Sequence, residues 1–243
     1  MEETGLKPHP EAGPSGSGPG PADPERGTRS IAFFDLDGTL VLGQTQFLLV
    51  LFLHKQRLLS LVFLLGTGLW FAAYKARLVR VTQEARERGA SILAGLSQAR
   101  VADLMTQFVG EILAPRLNPK AVAALRGHQA RGDYVVVVSA ALEPVVKALC
   151  ESLGVVEYIG APCQVKDGRY TGLLDGPMPY GEEKARLALA FAQRWTVNTA
   201  ECWAYADHET DLPLLRSVGH AVAVHPKRGL LEAAEEAGWP ILT

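Results

Sequence analysis

The chain has 243 residues, of which 48% are apolar and 21% charged, and a formal net charge of −2. That is enough to bury a full core and suits one domain carrying a smaller insertion, while the absence of a long basic run excludes a nucleic-acid footprint. Cys150, Cys163 and Cys202 show no CxxC or CxxH spacing, which excludes a disulfide framework and a zinc site of the usual kind and fits a reducing compartment.

Residues 1–28 hold six prolines and six glycines and no apolar h-region, so they read as a disordered tail rather than a signal peptide. Ile31 to Phe34 then form an apolar, β-favouring run without helical period, which reads as a central parallel strand. It delivers Asp35 and Asp37 into a Gly38-Thr39 turn at the strand's carboxyl end, where open α/β sheets bind their ligands. Burying two carboxylates costs several kcal/mol for each unpaired charge. Magnesium compensates economically, because it takes oxygen ligands and is held by one or two carboxylates plus a substrate phosphate.

Phe47 to Leu53 is apolar, His54 to Arg57 is a polar break, and Leu58 to Ala73 is a run of sixteen uncharged residues closed by Lys75, Arg77 and Arg80. At ~1.5 Å per residue that run reaches only ~24 Å, short of a membrane span. A single crossing would also separate Asp35 from the later strands. The segment 47–73 is therefore expected either to dock on a membrane surface or to pack as the core of an inserted cap. From Thr82 to Leu113 the pattern turns amphipathic, with Ile92, Leu93, Leu96, Val101, Leu104, Met105, Phe108 and Val109 at helical spacing. Residues 45–114 thus read as an all-helical insertion ended by Pro115 and Pro119.

A helix over Ala121 to Arg131 leads back to a strand at Tyr134 to Val138, which ends in Ser139-Ala140-Ala141 and is followed by a helix from Glu143. Asp167-Gly168 marks a short hairpin, and a helix from Glu182 to Arg194 carries Lys184 in its first turn. Cys202 to Tyr205 is a further strand, delivering Asp207 and Asp211 in the loop DHETD. Ala221 to Val224 is a strand, Leu230 to Ala237 a helix, and Trp239 to Leu242 an edge piece.

The ordered set of a DxD strand end, a serine strand end, a lysine at a helix start and a DxxxD loop closely resembles the haloacid dehalogenase superfamily over residues 31–243, in its phosphoserine-phosphatase-like IB branch. The resemblance implies a doubly wound, mostly parallel Rossmann-like sheet in three α/β/α layers, with a catalytic core over 29–44 and 115–243 and a helical cap over 45–114. It implies Asp35 as the nucleophile of an aspartyl-phosphate mechanism. Asp37 would be the acid that protonates the leaving oxygen and later activates water. Mg²⁺ would be held by the Asp35 carboxylate, the Asp37 carbonyl and Asp207, with Asp211 standing behind them, and Ser139 and Lys184 would bind the phosphoryl group. Four acids against Mg²⁺ and one lysine leave −1, so a protonated Asp37 brings the site near neutrality.

Gln44 stands where phosphoserine phosphatases place a glutamate, which weakens the case for a zwitterionic substrate. His208 and Thr210 depart from the serine and asparagine usual in the last motif. The apolar cap resembles that of bacterial phosphatidylglycerophosphatases of the same branch, which implies a lipid phosphomonoester. A small soluble monoester such as phosphoserine is the alternative, and a non-catalytic binding protein on the same fold is the reading from another class. The expected location is the cytoplasm, with peripheral attachment to the inner face of the membrane.

Overall fold

The computed structural model describes residues 30–60, 66 and 89–243. The tail over 1–28 and most of the uncharged run, with Lys75, Arg77 and Arg80, lie outside the described residues.

Six strands form one parallel sheet in the order β3-β2-β1-β6-β7-β8. They are β1 (Ile31–Phe34), β2 (Tyr134–Leu142), β3 (Glu157–Ala161), β6 (Trp203–Ala206), β7 (His220–Val224) and β8 (Ile241–Leu242). A separate antiparallel pair consists of β4 (Cys163–Lys166) and β5 (Arg169–Leu174), joined at Asp167-Gly168 as the sequence indicates. Side chains of β1 alternate between two cores, as strand geometry requires. Ala32 and Phe34 pack in the core that also holds Leu125, Val145 and Leu149, whereas Ile31 and Phe33 share the other with Ala188, Phe191, Leu215 and Leu230. Both faces are therefore covered, which is why the central strands carry unbroken apolar runs.

Helices α1 (Thr45–Lys55) and α2 (Gln98–Phe108) lie in the insertion. The side chain of Ser97 accepts a hydrogen bond from the Arg100 amide and caps α2, which buries Val101, Leu104, Met105 and Phe108 along one stripe. The chain then passes through a π-turn at Val109–Leu113 and a 3₁₀ turn at Ala114–Arg116. Neither proline ends the stretch: Pro115 lies within the 3₁₀ turn, which runs on to Arg116, and Pro119 opens the next helix, α3 (Pro119–Arg131), where its missing N–H costs nothing. Helices α4 (Glu143–Ser152), α5 (Glu182–Arg194), α6 (Leu212–Leu215) and α7 (Arg228–Ala237) complete the described set.

The two ends of the insertion meet in a hydrogen-bonded neck. The Leu42 amide donates to the Arg116 carbonyl at 2.8 Å, and the Asn118 amide to the Leu40 carbonyl at 2.9 Å. The Asn118 side chain adds a buried bond to the Thr39 carbonyl while capping α3. The neck springs directly from the turn that carries Asp35 and Asp37.

Candidate active site

The parallel register brings three strand ends to one edge. Phe34 pairs with Val137 of β2 and with Tyr205 of β6, so Asp35 just past β1, Ser139 within β2 and Asp207 just past β6 come to the same edge of the sheet. The Asp35 amide donates to the Tyr205 carbonyl at 2.9 Å, extending the ladder one residue beyond β1. At this edge a carboxylate oxygen from each of Asp35, Asp207 and Asp211 lies within 4.8 Å of the others, and all three residues are buried.

Lys184, in the first turn of α5, reaches into this cluster from below. Its Nζ donates to Asp35 Oδ1 at 2.5 Å and to Asp211 Oδ1 at 2.8 Å. Burial alone would discharge this lysine, but Asp35 and Asp211 hold its pKa above the ordinary value. Burial pushes Asp35 up to about 7 against the pull of Lys184, with Asp211 adding to the rise. Such crowding of acids is the situation that a divalent cation relieves.

Asp37 is also raised, chiefly by burial, although its Oδ1 accepts the Thr45 amide at 2.6 Å. A raised carboxyl is suited to hold a proton and deliver it. The Asp37–Gly38 turn needs glycine twice over: Gly38 has φ +89°, and a Cβ there would lie 2.2 Å from Asp207 Oδ2. The close approach of Asp207 to this backbone turn is a cradle that any side chain would fill. Three buried carboxylates with hard oxygen donors beside such a cradle fit Mg²⁺. Asp35, Asp207 and the Asp37 carbonyl would hold it, and it would supply charge neutralisation for a phosphoryl group.

Ser139 is buried near the carboxyl end of β2, where its Oγ accepts the Ala141 amide at 3.1 Å. The strand runs on to Leu142 instead of ending at the serine, and its register with β3 shifts between Val138 and Leu142. His208 and Thr210, where the loop departs from the family pattern, serve each other. The His208 ring accepts the Thr210 amide at 3.2 Å and caps the 3₁₀ turn Glu209–Asp211.

Sequence reasoning missed Lys227. Its Nζ lies 2.8 Å from Asp207 Oδ2, and its amide donates to the Asp207 carbonyl at 2.9 Å. The sole signal in sequence is its place in the loop after β7, which neighbours β6. Also missed is His128 of α3, buried between Asp133, at 2.7 Å from Nδ1, and the Tyr205 hydroxyl, at 2.9 Å from Nε2.

Thr45 and Ala141, whose amides bind Asp37 and Ser139, join Gln46, Leu49, Val145 and Met178 in lining a small cavity of about 20 Å³. No charged side chain is among its described lining residues.

Residues 32–216 match the family of haloacid dehalogenase-like hydrolases. The chain is 32% identical over 219 residues to a probable phosphatase of Mycobacterium tuberculosis, covering 88% of this chain and 75% of that one. It is 34% identical over 154 residues to a histidinol-phosphatase of Neisseria meningitidis, covering 62% of this chain and 69% of the relative. A solved structure from Bordetella pertussis Tohama I, described as a protein of unknown function, superposes with a TM-score of 0.82 at 27% identity, over 89% of this chain and 99% of that one.

Proposed function

Because this chain belongs to the haloacid dehalogenase-like hydrolase family, we propose that it is a magnesium-dependent phosphomonoester hydrolase that works through a phosphoaspartate on Asp35 and acts on a lipid phosphate. The observation that carries the hydrolase reading is the convergence of Asp35, Asp207, Asp211 and Lys184 on one buried edge. Lys184 fixes one oxygen of Asp35 and so directs the other toward a phosphorus atom in front of the sheet. Attack forms the Asp35 Oδ–P bond and breaks the P–O bond to the leaving alcohol, whose oxygen takes the proton of Asp37. Water then attacks the same phosphorus, giving its proton to Asp37 as the Asp35 Oδ–P bond breaks, which restores the Asp35 carboxylate and releases inorganic phosphate. Splitting the displacement in two lets a weak carboxylate nucleophile serve. Ser139 and Lys184 position and neutralise the phosphoryl oxygens, the work on which phosphoryl transfer chiefly depends.

The substrate reading rests on the uncharged side chains gathered beside Thr45, whose amide binds Asp37. An amino-acid phosphate presents an ammonium and a carboxylate, and each would need an opposite charge. The cavity between α1 and the end of β2 offers apolar groups and amide or hydroxyl dipoles. Leu42, Leu51 and Leu58 are exposed nearby in sequence, which suits an apolar surface or chain. No helix among the described residues is long and apolar enough to cross a membrane, and the docking segment 47–73 lies partly outside them. The small-monoester alternative draws on the name of the Neisseria relative.

A panel of a short-chain phosphorylated glycerolipid, histidinol phosphate and phosphoserine, assayed with and without Mg²⁺, tests both levels. Asp35→Asn is expected to lose more than about a thousandfold in turnover, with an unchanged circular dichroism spectrum. Phosphate release by that variant near the wild-type rate would overturn the covalent mechanism. A higher kcat/KM for phosphoserine or histidinol phosphate than for the glycerolipid would overturn the lipid reading alone.

A further inference from the structure

The cations around the acidic edge are of two kinds. Lys184 is buried at 3% exposure and bridges two carboxylates from within the fold. Lys227 is half exposed, yet its Nζ sits 2.8 Å from the Oδ2 of Asp207, whose side chain is 4% exposed. The root of Lys227 is pinned, since its amide donates to the carbonyl of that same Asp207. Its tip reaches in from solvent. The pairing follows from the sheet, because β6 and β7 run parallel with Ala206 opposite Ala223, so their following loops emerge together.

We propose that Lys227 is a tethered counter-ion that neutralises Asp207 in the metal-free protein and weakens the binding of a divalent cation there. The inference rests on the reading of Asp207 as a metal ligand. The two lysines divide the three carboxylates between them: Lys184 bridges Asp35 and Asp211, and Lys227 meets Asp207. Without Lys227, an almost fully buried Asp207 would lack its ammonium partner, a costly arrangement. An ammonium on a flexible four-carbon stem, already half in water, can swing away at little cost when a cation arrives. While it stays, its charge opposes any cation bound to the same carboxylate. Lys184 cannot play this part, being enclosed and held by two partners.

Calorimetric titration of Mg²⁺ into metal-free protein, with melting curves in both states, tests this. Lys227→Gln is expected to bind Mg²⁺ about tenfold tighter than wild type, the scale of removing one nearby charge. Its metal-free melting temperature should fall, and its rise on adding Mg²⁺ should exceed that of wild type. Lys227→Arg, which keeps the charge, should stay near wild type in affinity. If Asp207→Ala loses Mg²⁺ binding but Lys227→Gln binds no tighter than wild type, the counter-ion role is overturned. If Asp207→Ala binds as tightly as wild type, the metal-site reading falls instead.

Discussion

Gly38 shows how much a single residue carries at this site. Its φ of +89° and the 2.2 Å approach of a notional Cβ to Asp207 impose two separate penalties on any side chain. Gly38→Ala is therefore expected to cost at least ~1–2 kcal/mol of stability from backbone conformation alone. It should also push Asp207 aside, so that more Mg²⁺ is needed for half-maximal activity. Urea unfolding and a metal titration check the two effects, and a variant with wild-type stability would contradict the account. Asp35, Asp37, Lys184, Asp207 and Asp211 were readable in the chain, because each stands just past a strand or near the start of a helix that local sequence announces, and Ser139 was readable although its strand runs on to Leu142. Lys227 was not. It is one cation in the three-residue loop His225-Pro226-Lys227, and only the β6–β7 register gives it a partner.

At the scale of elements, legibility followed burial. Strands β1, β2, β6 and β7 are covered on both faces, so their apolar runs stand out, whereas β3 at the sheet's edge is mostly half-buried and its sequence EYIGA carries no such run. His128 escaped notice for a related reason: one polar residue on a helix reads as solvent-facing until Asp133 and Tyr205 are brought to it. Helix α1 is apolar all round, and burial takes only part of it: Leu49, Phe52 and Leu53 are enclosed, but Leu51 is 39% exposed. Leu51→Glu is expected to reduce co-sedimentation with anionic phospholipid vesicles severalfold while leaving hydrolysis of a soluble aryl phosphate unchanged. Equal sedimentation of variant and wild type would show that this face of α1 is not what meets lipid.

For the molecule as a whole, His128 ties stability to pH. Burial lowers its pKa below the ordinary 6.5, with Arg131 acting in the same direction and Asp133 opposing. Between the lowered value and 6.5 the unfolded chain takes up a proton that the folded chain refuses. The stability that His128 contributes is therefore complete above 6.5 and is lost as pH falls through that window. Burial acts to raise Asp133, but the His128 ring and Ser30 outweigh it and lower the carboxyl, so its window lies below the ordinary carboxylate value of 3.8 and does not overlap. His128→Gln should shrink the loss of unfolding free energy between about pH 7.5 and about pH 5.5, as read by urea titration. An undiminished loss in that variant would place the acid sensitivity elsewhere. The bond from the Thr45 amide to Asp37 has a further consequence, since it joins the first residue of α1 to the carboxyl proposed to protonate the leaving oxygen. Thr45→Pro deletes that donor at a helix position where proline is well tolerated. A nitrophenolate departs without needing a proton, whereas an alkoxide, far more basic, does not. The variant should thus release the first nitrophenolate from p-nitrophenyl phosphate, read as a pre-steady-state burst, nearly as fast as wild type, and lose about tenfold or more in the same step on alkyl phosphates. The slope of rate against leaving-group basicity would steepen, which is how an enzyme behaves when the first turn of one helix holds its proton donor in place.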